Sequence, residues 1–136
     1  MGSIEHIKQA KKRSDAVLEA LAHEPATYES VYAHLKEFIC LRYLIDDGFW
    51  DDDVNQLAEH SIELRLAALE DGDELGDLSM NCAGASSVET KYALLLITLR
   101  KSLDLTIEPV MAATLDTVPL LAAEVTRQLA QRALAC

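Results

Sequence analysis

The chain has 136 residues, half of them apolar, and a formal charge of −11 from 12 basic and 23 acidic side chains. This length predicts a single compact domain, and 22 Leu and 19 Ala against 5 Gly and 3 Pro favour an all-α fold. The negative charge disfavours nucleic acid as a partner, because a phosphate backbone would repel the protein. No apolar run approaches the roughly 20 residues of a membrane span, and no signal-type stretch follows the polar start, so we expect a cytoplasmic protein.

Two amphipathic helices are predicted before residue 46. Apolar residues recur at helical spacing from Ser3 to about Ala22 and again from Tyr28 to about Ile45. The break between them falls at His23-Glu24-Pro25, because proline disfavours a continuing helix. Packing of these helices within the chain and packing against a second copy, in a homodimer, both stay open. The apolar stripe of the second helix comprises Tyr28, Val31, Tyr32, Leu35, Phe38 and Ile39.

Three further helices and one helical turn are predicted downstream. Asp51-Asp52-Asp53 offers N-caps for the third helix, and Ser86 or Ser87 is the N-cap of the fourth. The predicted elements are a helix from Val54 to Gly72, a helix from Ser87 to Ser102, a turn from Val110 to Ala113 and a helix from Val118 to Ala135. The predicted buried stripe of the third helix is Val54, Ala58, Ile62, Leu66 and Leu69.

The acidic residues are concentrated in one segment. Between Asp46 and Asp77 there are twelve acidic residues and a single basic one, Arg65. Such a segment is typical either of a docking face that steers a basic partner or of a solvated helix face with aspartates at helix starts. Both interpretations stay open. Residues 73 to 86 form the longest stretch without a helical pattern, and loops of this length often carry function.

Metal binding and catalysis are not indicated by any residue pattern. Cys40, Cys82 and Cys136 are an odd number without C-x-x-C spacing, which favours reduced thiols. The histidines form no ligand motif, and the spacing of His34 and Glu37 suits a side-chain hydrogen bond better than a metal site. No acid, base and nucleophile can be assembled by spacing, so we expect a protein that is not an enzyme.

The segment before the fourth helix carries the most informative motif. Gly84-Ala85-Ser86-Ser87-Val88 resembles the modification motif of the acyl carrier and peptidyl carrier proteins. Leu103 to Ile107 is similar to the end of that family's second helix, and Leu115 to Leu121 is similar to the approach to its last helix. The resemblance implies an acyl-carrier-like helical bundle over residues 54 to 131, with two additional N-terminal helices over residues 3 to 45.

The same resemblance implies a function and a site. Ser87 matches the serine to which a transferase attaches 4′-phosphopantetheine, with Gly84, Ser86 and Val88 around it. The chain would then hold an acyl or aminoacyl group as a thioester for biosynthetic enzymes and would be a substrate of a phosphopantetheinyl transferase. Glu89 and Tyr92 would contact these partners.

The chain departs from the family pattern in its motif residues and in its length, and Asn81-Cys82 stands where the family usually has an acidic pair. Ser86 stands where the family commonly has aspartate, and a gap-free alignment of the downstream segment places Glu89 at the serine's position, so the helix or its entry is about two residues longer. An alternative function therefore stays open. In it, a degenerate carrier fold or a plain helical bundle acts as a protein-interaction module without the prosthetic group, and Ser87 only caps the helix.

Overall fold

The computed structural model describes residues 3–24, 26–70 and 87–135 of the chain. These residues form six α-helices and one isolated bridge between Asp53 and Thr117, without a strand. The all-α prediction is thereby confirmed. Gly84, Ser86 and the predicted loop of residues 73 to 86 lie outside the described residues. The helices are α1 (Ser3–His23), α2 (Tyr28–Tyr43), α3 (Val54–Glu70), α4 (Val88–Leu103), α5 (Pro109–Thr114) and α6 (Val118–Ala135).

α1 and α2 form a helical hairpin. Thr27 caps α2 by accepting a hydrogen bond from the Ser30 backbone N–H at 3.2 Å. Farther along the hairpin, the Arg42 guanidinium donates to the Asp15 carboxylate at 3.0 Å. α2 then ends at Leu44, which takes the left-handed conformation at φ 56°.

α3 and α6 begin side by side. Val54 N–H donates to the Asp116 carbonyl at 3.1 Å, and Val118 N–H donates to the Asp52 carbonyl at 2.7 Å. Asp53 caps α3 through the Asn55 N–H at 2.8 Å, as the run of aspartates predicted. The two backbone bonds therefore hold the starts of two long helices together.

α2 is the central helix of the apolar core. This helix packs against α1, α6 and, with a smaller contact, α3, while α4 packs against α3 and α1. Leu35, Phe38 and Ile39 are fully enclosed and belong to one apolar cluster with buried residues of α1, α3, α4 and α6. Most of the apolar residues of the two N-terminal helices are thus covered within the chain. In the described residues, no helix is both long and apolar enough to cross a membrane.

Two predicted core residues lie at the surface. Tyr28 is 40% exposed and Leu66 is 55% exposed. Tyr28 sits in the first turn of α2, where its ring stacks on Tyr32 at 6.1 Å between centroids. Leu66 faces away from the core. Residues spaced by four advance about 40° around a helix at each step, so three such steps from Val54 place Leu66 about 120° from the start of the stripe.

Polar side chains occupy core positions that the apolar pattern did not reveal. Ser61 is fully buried in α3, and its hydroxyl donates to the Tyr43 carbonyl at 2.6 Å. Lys91 is fully buried in α4, with its ammonium 5.0 Å from the centre of the Tyr43 ring. Each group has a polar or aromatic partner, which is the condition for burying it.

Candidate functional site

Ser87 stands at the N-cap of α4, as the sequence predicted. Its backbone is extended (φ −122°, ψ 149°), and its hydroxyl oxygen accepts the Thr90 N–H at 3.2 Å. The same hydroxyl donates to the Thr90 side-chain oxygen at 2.7 Å. Ser87 is half-buried, so it sits at the edge of the fold with its oxygen in use as a cap.

The described candidate residues lie together on the first turns of α4. Val88 is half-buried against the core, and Glu89 is exposed in the first turn. Tyr92 is half-buried, and its hydroxyl donates to the Leu115 carbonyl, which ties α4 to the segment between α5 and α6. Burial, together with the negative charge of Asp116, raises the pKa of Tyr92 far above its ordinary value, so the side chain is a neutral donor.

The start of α4 can hold an anionic group. The N–H groups of its first turn, at Val88 and Glu89, have no acceptor within the helix, and the helix dipole favours negative charge there. This donor set fits the phosphodiester of a phosphopantetheine arm. Ser87 would supply the attachment oxygen, and the arm itself would supply the thiol for a thioester.

An apolar groove lies beside the candidate residues, between α4 and α5. It has a volume of about 290 Å³ and is lined by Ala93, Leu96, Ile97 and Arg100 of α4 with Ile107, Pro109 and Ala112. With a rise of about 1.5 Å per residue, the groove begins about 9 Å along the helix from Ser87. We did not predict this groove from the sequence. A signal for it was present, because Glu89, Ala93 and Ile97 follow one another at spacings of four and so lie in one row on the helix surface.

The acidic loop after α2 uses its carboxylates internally. The Asp52 carboxylate accepts the Tyr32 hydroxyl at 2.5 Å and the Trp50 indole N–H at 3.1 Å. The Asp51 carboxylate accepts the Asp53 N–H at 2.8 Å. For residues 51 to 53, these contacts favour aspartates that stabilise a helix start over a docking face for a basic partner. The reason is that these carboxylates already accept hydrogen bonds from the loop and from the helix start.

Asp47 in the same loop is held by two donors. One of its oxygens lies 2.7 Å from the His60 ring nitrogen, and the other accepts the Phe49 N–H at 3.2 Å. The His60 hydrogen bond, followed by the Phe49 N–H, lowers the pKa of Asp47. The His60 ring also stacks on Phe49 at 4.1 Å between centroids. The loop is thus held against α3 by the hydrogen bond between Asp47 and His60 and by the stacking of Phe49 on the His60 ring.

The described residues hold no group of three histidine, cysteine, aspartate or glutamate side chains arranged for a metal ion. His34 lies 2.7 Å from the Ser30 carbonyl and 3.6 Å from the Glu24 carboxylate, whereas the sequence pattern had paired it with Glu37. Cys40 is a free, half-buried thiol, and burial raises its pKa, which favours the unreactive protonated form.

Comparison with known proteins adds no relative. The chain matches no family model, no curated protein and no solved structure.

Proposed function

We propose that this protein is a carrier that holds an acyl or aminoacyl group as a thioester on a phosphopantetheine arm attached to Ser87. The order of elements from α3 onward carries the proposal. A long helix is followed by a helix that begins at a serine, then by a six-residue helix and a last long helix. This is the order of elements that the resemblance to the carrier proteins implies, with the serine at a helix start where an anionic diester is stabilised.

The surroundings of Ser87 support this function. The groove between α4 and α5 offers an apolar surface to a chain carried on the arm, within reach along the same helix. Glu89 is exposed beside the serine and offers a negative charge to a docking enzyme with a basic surface. Phosphopantetheinyl transferases and biosynthetic enzymes that load or use the carried group would be the partners.

A second function is favoured by the hydrogen bonds of Ser87 itself. The hydroxyl both accepts from the Thr90 N–H and donates to the Thr90 side chain, so a capping role alone accounts for a serine at this position. In that case the bundle is a protein-interaction module without a prosthetic group.

Intact mass spectrometry of the full chain separates the two functions. The parent protein is incubated with coenzyme A and a broad-specificity phosphopantetheinyl transferase, together with three variants. Ser87→Asp keeps a capping oxygen but lacks the hydroxyl that would be modified, whereas Ser87→Ala loses both. Ser102→Ala removes an exposed serine near the end of the same helix and is the matched control.

The carrier function predicts a mass gain of one arm in the parent and in Ser102→Ala, and no gain in either Ser87 variant. Circular dichroism should show Ser87→Asp folded as well as the parent, so that its lack of gain reflects chemistry and not unfolding. If the folded parent gains no mass while a known carrier in the same tube is modified, the interaction module is the better function.

A further inference from the structure

A second cavity, of about 300 Å³, lies at the open end of the α1–α2 hairpin, and no residue of α4 lines it. Its apolar wall includes Ala10 and Leu44, which form a small buried cluster separate from the main core, and Leu41, which packs against both clusters. Arg13 of α1 and Glu37 of α2 line the same cavity. An apolar wall with a few polar groups, at the small end of the usual size range, is typical of a site for a small molecule.

Arg13 differs from most arginines of the chain because its side chain has no partner in the part of the protein that the structure describes. Four of the six arginines interact within the protein: Arg42 with Asp15, Arg127 with Glu124, Arg132 with the Asp104 carbonyl, and Arg65 with other groups of the chain. In the described part of the chain, the side chains of Arg13 and Arg100 have no hydrogen bond or ion pair, and each residue lines one of the two cavities described above. The side chains of these two lining arginines are therefore free of protein partners within this part of the chain and open to a ligand.

Glu37 places a charge of the opposite sign in the same cavity, and both Arg13 and Glu37 are exposed to solvent there. The Glu37 side chain too has no hydrogen bond or ion pair among the described residues, and it makes none with Arg13 although both residues line the cavity. Two further ionisable side chains of the cavity, His6 and Asp46, lie 3.5 Å from each other. A ligand that satisfies Arg13 and Glu37 together must carry an anionic and a cationic group on a small body.

We propose that this cavity binds a small apolar α-amino acid. The carboxylate accepts hydrogen bonds from the planar guanidinium of Arg13, a geometry that suits a two-point contact. The ammonium donates to the Glu37 carboxylate, and the apolar side chain packs on Ala10, Leu41 and Leu44. The Cys40 thiol also lines this cavity, and because it stays protonated it adds an apolar contact instead of a charge. This site is independent of any modification at Ser87.

Titration of the ¹⁵N-labelled full chain with leucine tests the site. Two analogues serve as matched probes: 4-methylpentanoate lacks the ammonium, and 3-methylbutylamine lacks the carboxylate. Leucine should shift the amide signals of Ala10 and Leu41, and each analogue should bind about tenfold more weakly or worse, since each loses a hydrogen bond between charged groups.

Variants assign each ligand charge to its side chain. Arg13→Gln should remove the preference for leucine over 3-methylbutylamine, and Glu37→Gln should remove the preference for leucine over 4-methylpentanoate. Lys12→Gln, which removes an exposed neighbouring charge outside the cavity, should bind leucine like the parent. The proposal is overturned if leucine at about 10 mM, ten times a millimolar Kd, leaves these amides unshifted. It is also overturned if Lys12→Gln weakens binding as much as Arg13→Gln does.

Discussion

Truncation of Phe38 to alanine tests whether the two N-terminal helices are part of one cooperative fold. The Phe38 ring is fully enclosed in the middle of α2, within the apolar cluster that includes residues of α3, α4 and α6. If residues 3 to 45 were an appendage on an independent bundle, a cavity in α2 would leave α3 to α6 at their original stability. The structure predicts the opposite, because α2 contributes to the core of α6 directly.

The expected loss is large. Removing a fully buried phenylalanine ring typically costs about 3–5 kcal/mol in the free energy of unfolding, from lost transfer energy and the cavity left behind. In a chain of 136 residues this corresponds to a fall of roughly 10–17 °C in Tm. Tyr28→Ala is the matched control, since it removes an aromatic ring from the same helix at a position that is 40% exposed. Its cost should be well below that of Phe38→Ala, because the Tyr28 ring is only partly buried and its aromatic pair adds no more than about 1.5 kcal/mol beyond that burial.

Urea unfolding with two probes measures both the loss and its cooperativity. Circular dichroism reports all helices, and the single tryptophan, Trp50, reports the loop between α2 and α3. In Phe38→Ala both transitions should shift together to lower urea, and amide signals of α6 should disappear over the same range. A single cooperative fold would be refuted if, in Phe38→Ala, the amide signals of α6 persisted up to the urea midpoint of the parent protein. In that case α1 and α2 would be a separate folding unit.

Two further predictions concern titrating groups. Because burial raises the pKa of Tyr92 in the folded state, the folded protein holds this proton more tightly than the unfolded chain does. The free energy of unfolding should therefore fall as the pH rises above about 10, the ordinary pKa of tyrosine. Urea unfolding at pH 8 and at pH 10.5 should show a smaller fall in Tyr92→Phe than in the parent protein. His60→Ala removes the donor that lowers the pKa of Asp47, so an NMR titration should show this pKa moving up toward its ordinary value; an unchanged pKa would contradict the assigned cause.

The helices themselves could be predicted from the sequence because apolar spacing and capping residues agree along most of the chain. The start of α3 at the aspartate run, the start of α4 at Ser87 and the short α5 all lie within a residue or two of their predicted places. Local signals of this kind need no knowledge of tertiary contacts.

The buried face of α3 could not be predicted in the same way. The predicted stripe followed apolar residues at spacings of four and so drifted around the helix to Leu66. The structure instead buries Leu57 and Ser61 beside Val54 and Ala58. Ser61 is acceptable in the core only because the Tyr43 carbonyl, distant in sequence, accepts its hydroxyl hydrogen. Such a partner is visible only once the helices are packed.

The role of Ser87 shows the same limit at the candidate site. Serine is among the most favoured N-cap residues, so its presence at the start of α4 is expected whether or not it is modified. On attachment of the arm, the Ser87 oxygen would become part of a phosphodiester and would no longer donate to Thr90. The free N–H groups of the first turn would then stabilise the negative charge of the diester. Capping and attachment therefore use the same position and the same helix start. A variant that keeps the capping oxygen while removing the hydroxyl separates the two roles, which is why Ser87→Asp is a sharper test than Ser87→Ala.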